Sequence, residues 1–368
     1  MKMKMKKKLA ALLLAVLTAF GAASCSTADQ SWSIDKDGER LPVGVYVYNF
    51  YSAIAAAQQE EGVDSSVSLL DQQIDGQPAE EWIRSEAMRY TKEYFYLRDQ
   101  LDSLGVPLTD EEKSQAKSNA AAAWGYVPES VKKYVSQESF EIAYGETNMM
   151  YTKLFNTIYG EGGEKAVSDE ELTAYFEETF YDFDYIFSSL AYKTDGELTD
   201  AAEDTAMTEE ETAARRELFE GYAEKINAGE MTMEDAAKDF QTLIASADEQ
   251  LSNQLVDGEY INSSFPTEIK TNLDEMQNGE VRCFEVTGLS KGIVVVRKNN
   301  IADSAAEYME QEGNRQTLLA GMKSEEYLDM IKAGIESYEG VTFNDEAIAT
   351  YHASEFYTFT PPASSTAE

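Results

Sequence analysis

Histidine is almost missing from this 368-residue sequence. His352, near the C-terminal end, is the single one. Histidine-based zinc sites and Ser-His-Asp or Cys-His machinery therefore have almost nothing to work with. Cysteine is nearly as scarce, with only Cys25 and Cys283. If Cys25 is committed elsewhere, no disulfide framework remains and stability must come from an ordinary core. Basic residues are outnumbered, 30 Lys and Arg against 68 Asp and Glu, for a formal net charge of −38. Such a surface cannot neutralise a phosphate backbone, so nucleic acid is excluded as a partner. Neither a GxxxxGK[ST] phosphate loop nor a GxGxxG motif occurs. The segment DKDGE at 35–39 puts its glycine at the wrong offset for a calcium loop and reads as a linker turn. Carboxylates are so abundant that no pair of them singles out a glycosidase. Neither a cofactor nor a metal is expected.

The longest purely apolar run is confined to the start. MKMKMKKK supplies five lysines, LAALLLAVLTAF supplies 12 apolar or small residues, and GAASC comes next. That order reads as an export signal, too short for a membrane span of about 20 residues. The tetrad Ala22-Ala23-Ser24-Cys25 resembles a lipobox, in which Cys25 becomes the lipid-bearing first residue of the mature chain. An ordinary secretory signal with an incidental Cys25 is the alternative. Removing residues 1–24 takes away five positive charges and no negative one, leaving a net charge of −43. This acidity can attract basic, unfolded clients.

The remaining chain is long enough for two domains. VGVYVYNFYSAIAAAQQEEG (43–62) begins with apolar alternation and turns helical. From Pro78 to Tyr159 the pattern is helical throughout, with Trp82, Ile83, Ala87, Tyr90, Tyr94, Leu97, Leu101 and Leu104 on one stripe before Gly105. Thr109 with Glu112, and Ser168 with Glu171, have the spacing of capping boxes. At 181 the character changes. YDFDYIFSSLAY has strand composition, an acidic insert comes after it, a helix is predicted over about 212–228, and VDGEYINSSFP reads as loop. QNGEVRCFEVTGLSKGIVVVRKNNI reads as two strands, giving the order strand, helix, helix, helix, strand, strand. A further helix and a Pro/Ser/Thr-rich tail close the chain. Cys283, at the start of a strand with no neighbouring histidine, reads as a small buried apolar residue.

The succession LGVPLTDEE, VSDEELTAYFEET, a strand, an acidic insert, GEMTMEDAAKDF, MQNGEV, KGIVVVRK and GVTFNDEAI resembles the PrsA/SurA family of extracytoplasmic foldases over most of residues 43–348. The resemblance implies an α+β chain: a discontinuous helical SurA-like chaperone domain with an inserted small parvulin-like α+β domain. On this reading the signal peptide is 1–24, a tether 25–42, the N-terminal part of the chaperone domain 43–179, and the parvulin-like domain 180–301. A helical return segment, 302–349, packs on the chaperone domain, and 350–368 is a disordered tail. The family's two active-site histidine positions fall on Tyr185 and Gly292, and its prolyl-pocket Met and Phe fall near Phe265 and Ile269. The implied peptide groove is thus Tyr185, Phe187, Phe265, Ile269, Phe284 and Gly292, with no catalytic residue assigned. The resemblance implies a chaperone or foldase held by a lipid on Cys25 at the outer face of a bacterial cell membrane. It would assist unfolded or partly folded exported proteins, its prolyl isomerase activity weak or lost. A binding or assembly lipoprotein with one dedicated partner, and an active peptidyl-prolyl isomerase, are the alternatives.

Overall fold

The computed structural model describes residues 28–193, 206–288, 291–311 and 313–361. The signal segment, Cys25 and most of the acidic insert lie outside the described residues. The chain is α+β. Among the described residues nine strands run in order as β1 (Trp32–Lys36), β2 (Glu39–Pro42), β3 (Gln73–Ile74), β4 (Gln77–Pro78), β5 (Phe180–Ser189), β6 (Leu251–Asp257), β7 (Val281–Thr287), β8 (Lys291–Lys298) and β9 (Val341–Phe343). The chain forms two compact units. One takes residues up to Ala166 and from Glu325 onward; the other is Val167–Ser324. None of the described helices is long and apolar enough to cross a membrane.

The discontinuous unit is built around the helices Val43–Ala57 and Ala79–Ser103. The first is helical from Val43, with no strand-like lead. Its apolar residues are buried on nearly every side, from Val43 through Tyr46, Phe50 and Ile54 to Ala57, and a helix covered all round shows no clean period. In the second helix Phe95, Tyr96 and Leu97 are all buried, whereas Tyr90 and Tyr94 are half-buried, and Leu104, just past its end, is 48% exposed. Between the two helices Asn49 Nδ2 donates a 3.1 Å hydrogen bond to Thr91 Oγ1 in a buried setting. Both expected capping boxes form: the hydroxyls of Thr109 and Ser168 accept from the backbone N–H groups of Glu112 and Glu171.

Residues 25–42 do not act as a tether along their whole length. β1 and β2 form a hairpin whose turn places Asp37 and Gly38 at positive φ, and β1 pairs on its other edge with β9. Ile34 and Leu41 are buried, which a solvated linker would not allow. The tail is likewise held as far as Tyr357. Ala353 is buried, the Tyr357 hydroxyl accepts from Leu69 N at 3.2 Å, and Arg84 donates to the carbonyls of Ile348 and Tyr351.

The contiguous unit begins before β5, not at 180. The helix Asp169–Thr179 leads straight into β5, and the helix Ile301–Glu310 returns to both. Phe176 and Tyr308 stack with centroids 4.6 Å apart, and Ser304 Oγ donates to Asp182. The return to the discontinuous unit therefore starts at Glu325, inside the helix Asn314–Ser337, and not at 302. At the centre is a four-stranded antiparallel sheet in the order β6-β5-β8-β7.

Strand alternation gives this sheet two apolar faces. Ile186, Val281, Ile293 and Val295 pack with Phe219, Tyr222, Ala236 and Phe240 of the helices Glu209–Asn227 and Met233–Leu243. Phe183, Val286, Val294 and Val296 pack with Ile261, Ile269 and Leu273 of the helices Gly258–Ser264 and Thr267–Glu275. β6 and the helix after it occupy a stretch that reads as loop in the sequence. The strand is an edge strand rich in Ser252, Asn253 and Gln254, so it carries no apolar alternation of its own.

Candidate functional site

Neighbouring residues in β5 point to opposite faces, so Phe183, Tyr185 and Phe187 share one. On that face a cleft of about 390 Å³ opens against the corner between the helices Gly258–Ser264 and Thr267–Glu275. Phe265 and Pro266 make the corner. Phe265 ends the first helix, its N–H donating to Ile261 O at 2.9 Å, and Pro266 precedes the second. The ring of Phe265 stands edge-on to Tyr185 (6.0 Å, 87°) and to Phe183 (5.7 Å, 72°), and Tyr260 approaches it at 6.3 Å. Ile269, Val286 and Val294 complete the apolar lining.

Of the six groove residues expected from sequence, Tyr185, Phe187, Phe265 and Ile269 line this cleft. Phe284 does not. It pairs with Val294 and packs half-buried into the same core. Gly292 is also outside the lining, yet it shapes it, because it pairs with Ser189 and lies against the ring of Phe187. Tyr185 and Gly292 do not meet across the groove. Tyr185 is paired with Val296 and Gly292 with Ser189, four residues apart along β5.

The polar edge of the cleft, Glu249, Gln250, Ser252 and Ser264, is absent from the sequence-based expectation. Three of those residues precede or open the missed strand β6, and nothing in SADEQLSNQ marks a strand end. The lining contains no histidine, lysine, arginine or cysteine. No hydrogen bond to the Tyr185 hydroxyl is found among the described residues. The groove can therefore take an apolar group out of water and offer hydroxyls, an amide and the Glu249 carboxylate beside it, but it holds no cationic or imidazole proton donor.

The opposite side of the sheet carries the charge. Asp184, 2% exposed, accepts from Arg297 Nε at 3.0 Å and from Asn253 Nδ2. Cys283 lies among the apolar residues of that face and is half-buried. Burial, helped by Glu220 and Glu285, pushes its thiol up to about 12, so it is not a nucleophile at neutral pH. His352 belongs to the discontinuous unit, where Nδ1 lies 3.0 Å from Glu80 Oε1. Among the described residues no group of three or more His, Cys, Asp and Glu side chains is placed to hold a metal ion.

Comparison with known proteins finds no matching family model and no matching curated protein. Among solved structures the chain is similar to the foldase protein PrsA from Streptococcus pneumoniae, at 11% identity and a TM-score of 0.35, over 87% of this chain and 98% of that one. It is also similar to PrsA from Bacillus subtilis (11% identity, TM-score 0.26, 70% and 86% covered) and to the peptidylprolyl isomerase PrsA from Bacillus anthracis (10%, 0.24, 65% and 96%). The chemistry of the groove follows from its own residues.

Proposed function

We propose that this chain is an extracytoplasmic chaperone or foldase that binds unfolded segments of exported proteins, without appreciable prolyl isomerase activity, and is anchored by a lipid on Cys25. The observation that carries the reading is the cleft walled by Tyr185, Phe187 and Phe265, apolar within, polar at one edge, and free of histidine. Such a site suits weak, sequence-tolerant capture of apolar side chains. Rotation about a peptide bond faces a barrier of about 18–20 kcal/mol. An apolar slot can help by desolvating the prolyl ring, but this one adds no histidine or cationic donor aimed at the twisting amide.

The test is a prolyl isomerisation assay on the chain from Ser26, with X-Pro peptides of varied X, beside the aggregation of unrelated unfolded clients. Rates equal to background together with slowed aggregation are expected. Acceleration that collapses in Tyr185→Ala would overturn the non-catalytic part and make the cleft an isomerase site. No effect on any client, with one tight partner recovered by crosslinking, would replace the chaperone reading by a dedicated binding role.

A further inference from the structure

The discontinuous unit carries a second cavity, of about 420 Å³, whose origin is local and unusual. The sequence SQESFEIAYGE begins as a helix capped by Ser136, whose hydroxyl accepts from Ser139 N, and then passes into a π-helical stretch, Glu141–Glu146. Such stretches are rare and, where they occur, frequently lie at functional sites. Within it Gly145 comes so close to the helix Asp110–Ala123 that a Cβ would stand 2.6 Å from Ala116 O. Any other residue would push the two elements apart at the cavity they share.

The apolar part of the cavity is Trp124, Phe140 and Ile142, with Trp124 and Phe140 tilted at 5.3 Å between centroids. Its charged part is Glu138, Glu141 and Glu146 against a single cation, Lys117. Glu146 accepts from the Tyr94 hydroxyl at 3.0 Å, and Glu141 has Lys117 Nζ at 3.2 Å. The lysine side chain is 70% exposed, so this pair is held weakly. Glu138 is exposed and has no ion pair among the described residues. One cation already sits near this aromatic floor: Lys132 Nζ is 5.6 Å from the Trp124 ring centroid.

We infer that the cavity formed by Trp124, Phe140 and the Glu138–Glu141 edge is a peptide-binding subsite for an apolar side chain next to a lysine or arginine in an unfolded segment. The apolar side chain rests on Phe140 and Ile142. The neighbouring cation meets Glu138 and Glu141 and displaces Lys117. A basic occupant is selected by charge complementarity, three lining carboxylates against one lining ammonium, Lys132 at the Trp124 ring being already paired with Glu129. The inference rests on the reading that this chain binds unfolded segments, and it assigns a specificity that the histidine-free groove does not supply.

The test uses the chain from Ser26 and two fluorescein-labelled extended peptides, identical except that the Lys of one Phe-Lys step is norleucine in the other. Anisotropy should give tighter binding of the lysine peptide, with an affinity that falls as salt rises. Glu138→Gln with Glu141→Gln should weaken that peptide by about tenfold and flatten the salt dependence, while leaving the norleucine peptide unchanged. Lys117→Gln should tighten the lysine peptide by about threefold; this gain cannot come from misfolding. If the carboxylate variants bind as the parent does, while Phe187→Ala loses both peptides, the subsite is wrong and the general reading stands. If the parent chain binds neither peptide, both fall.

Discussion

Gly292 lies against the ring of Phe187: a Cβ ideally placed on it would overlap Phe187 Cε2 and stand 2.9 Å from Cζ. Phe187 is 42% exposed and its ring is the movable party. Gly292→Ala should therefore leave the sheet intact, with a stability change within about 1 kcal/mol, but turn Phe187 away from the cleft. An apolar peptide should bind several-fold more weakly, as read by titration beside a thermal melt. Unchanged affinity would remove Phe187 from the binding surface.

Glu93 should make stability depend on pH. It sits half-buried on the helix Ala79–Ser103, and burial pushes its carboxyl up to about 7, against the pull of Arg89 and with a small further push from Glu86. Arg89 is itself bound to Glu86, Tyr90 lies beside Glu93 on the same helix, and Tyr151 and Tyr327 come from other helices of the same unit. The folded chain holds this proton more tightly than the unfolded chain, whose carboxyl titrates near 4.5. The contribution is thus fully present below about 4.5 and lost as pH rises through about 7. Up to about 3 kcal/mol is at stake at 1.36 kcal/mol per unit. Urea unfolding from pH 4.5 to 8 should show the parent losing stability relative to Glu93→Gln over this window; parallel curves would refute the assignment.

The pair Asp184 and Arg297 should respond asymmetrically to substitution. Asp184 is enclosed, whereas the Arg297 side chain is 32% exposed and also lies 3.1 Å from Asn299 Oδ1. Arg297→Leu leaves a buried carboxylate with only Asn253 and should cost about 3–5 kcal/mol. Asp184→Asn lets the guanidinium turn to water and should cost about 1–3 kcal/mol. Denaturant midpoints decide between this order and its reverse.

Cys283 should resist alkylation. With its thiol near 12, iodoacetamide at pH 8 should modify the native chain roughly a hundredfold or more slowly than the chain in denaturant. Rapid native labelling would show a thiolate the structure does not contain.

The helices of this chain are legible because their signals are local. Thr109 and Ser168 announce two starts by spacing alone, and strand β8 declares itself as GIVVV. The misreadings share one cause, tertiary burial overriding pattern. Val43–Ala57 is covered on nearly every side and imitates a strand at its start, while β1 and β2 are too short and polar to stand out before β9, the partner of β1, appears some three hundred residues later. In the groove, the apolar wall at Tyr185, Phe187, Phe265 and Ile269 is readable from composition and resemblance. Its polar edge is not, because Glu249, Gln250 and Ser252 reach the site only through the pairing of β6 with β5.

The pairing of β1 with β9 has a consequence in time. A ribosome delivers Trp32–Lys36 about three hundred residues ahead of Val341–Phe343, so the three-stranded sheet must stay open while all the chain between them is made. Everything within Val167–Ser324, a compact unit in its own contacts, is complete before then. The opening helix, Val43–Ala57, meets the helix Ala79–Ser103 early but meanwhile waits for Ile348 and Ala353 to cover the rest of its apolar surface. The nascent chain is, for that interval, itself a client in need of protection.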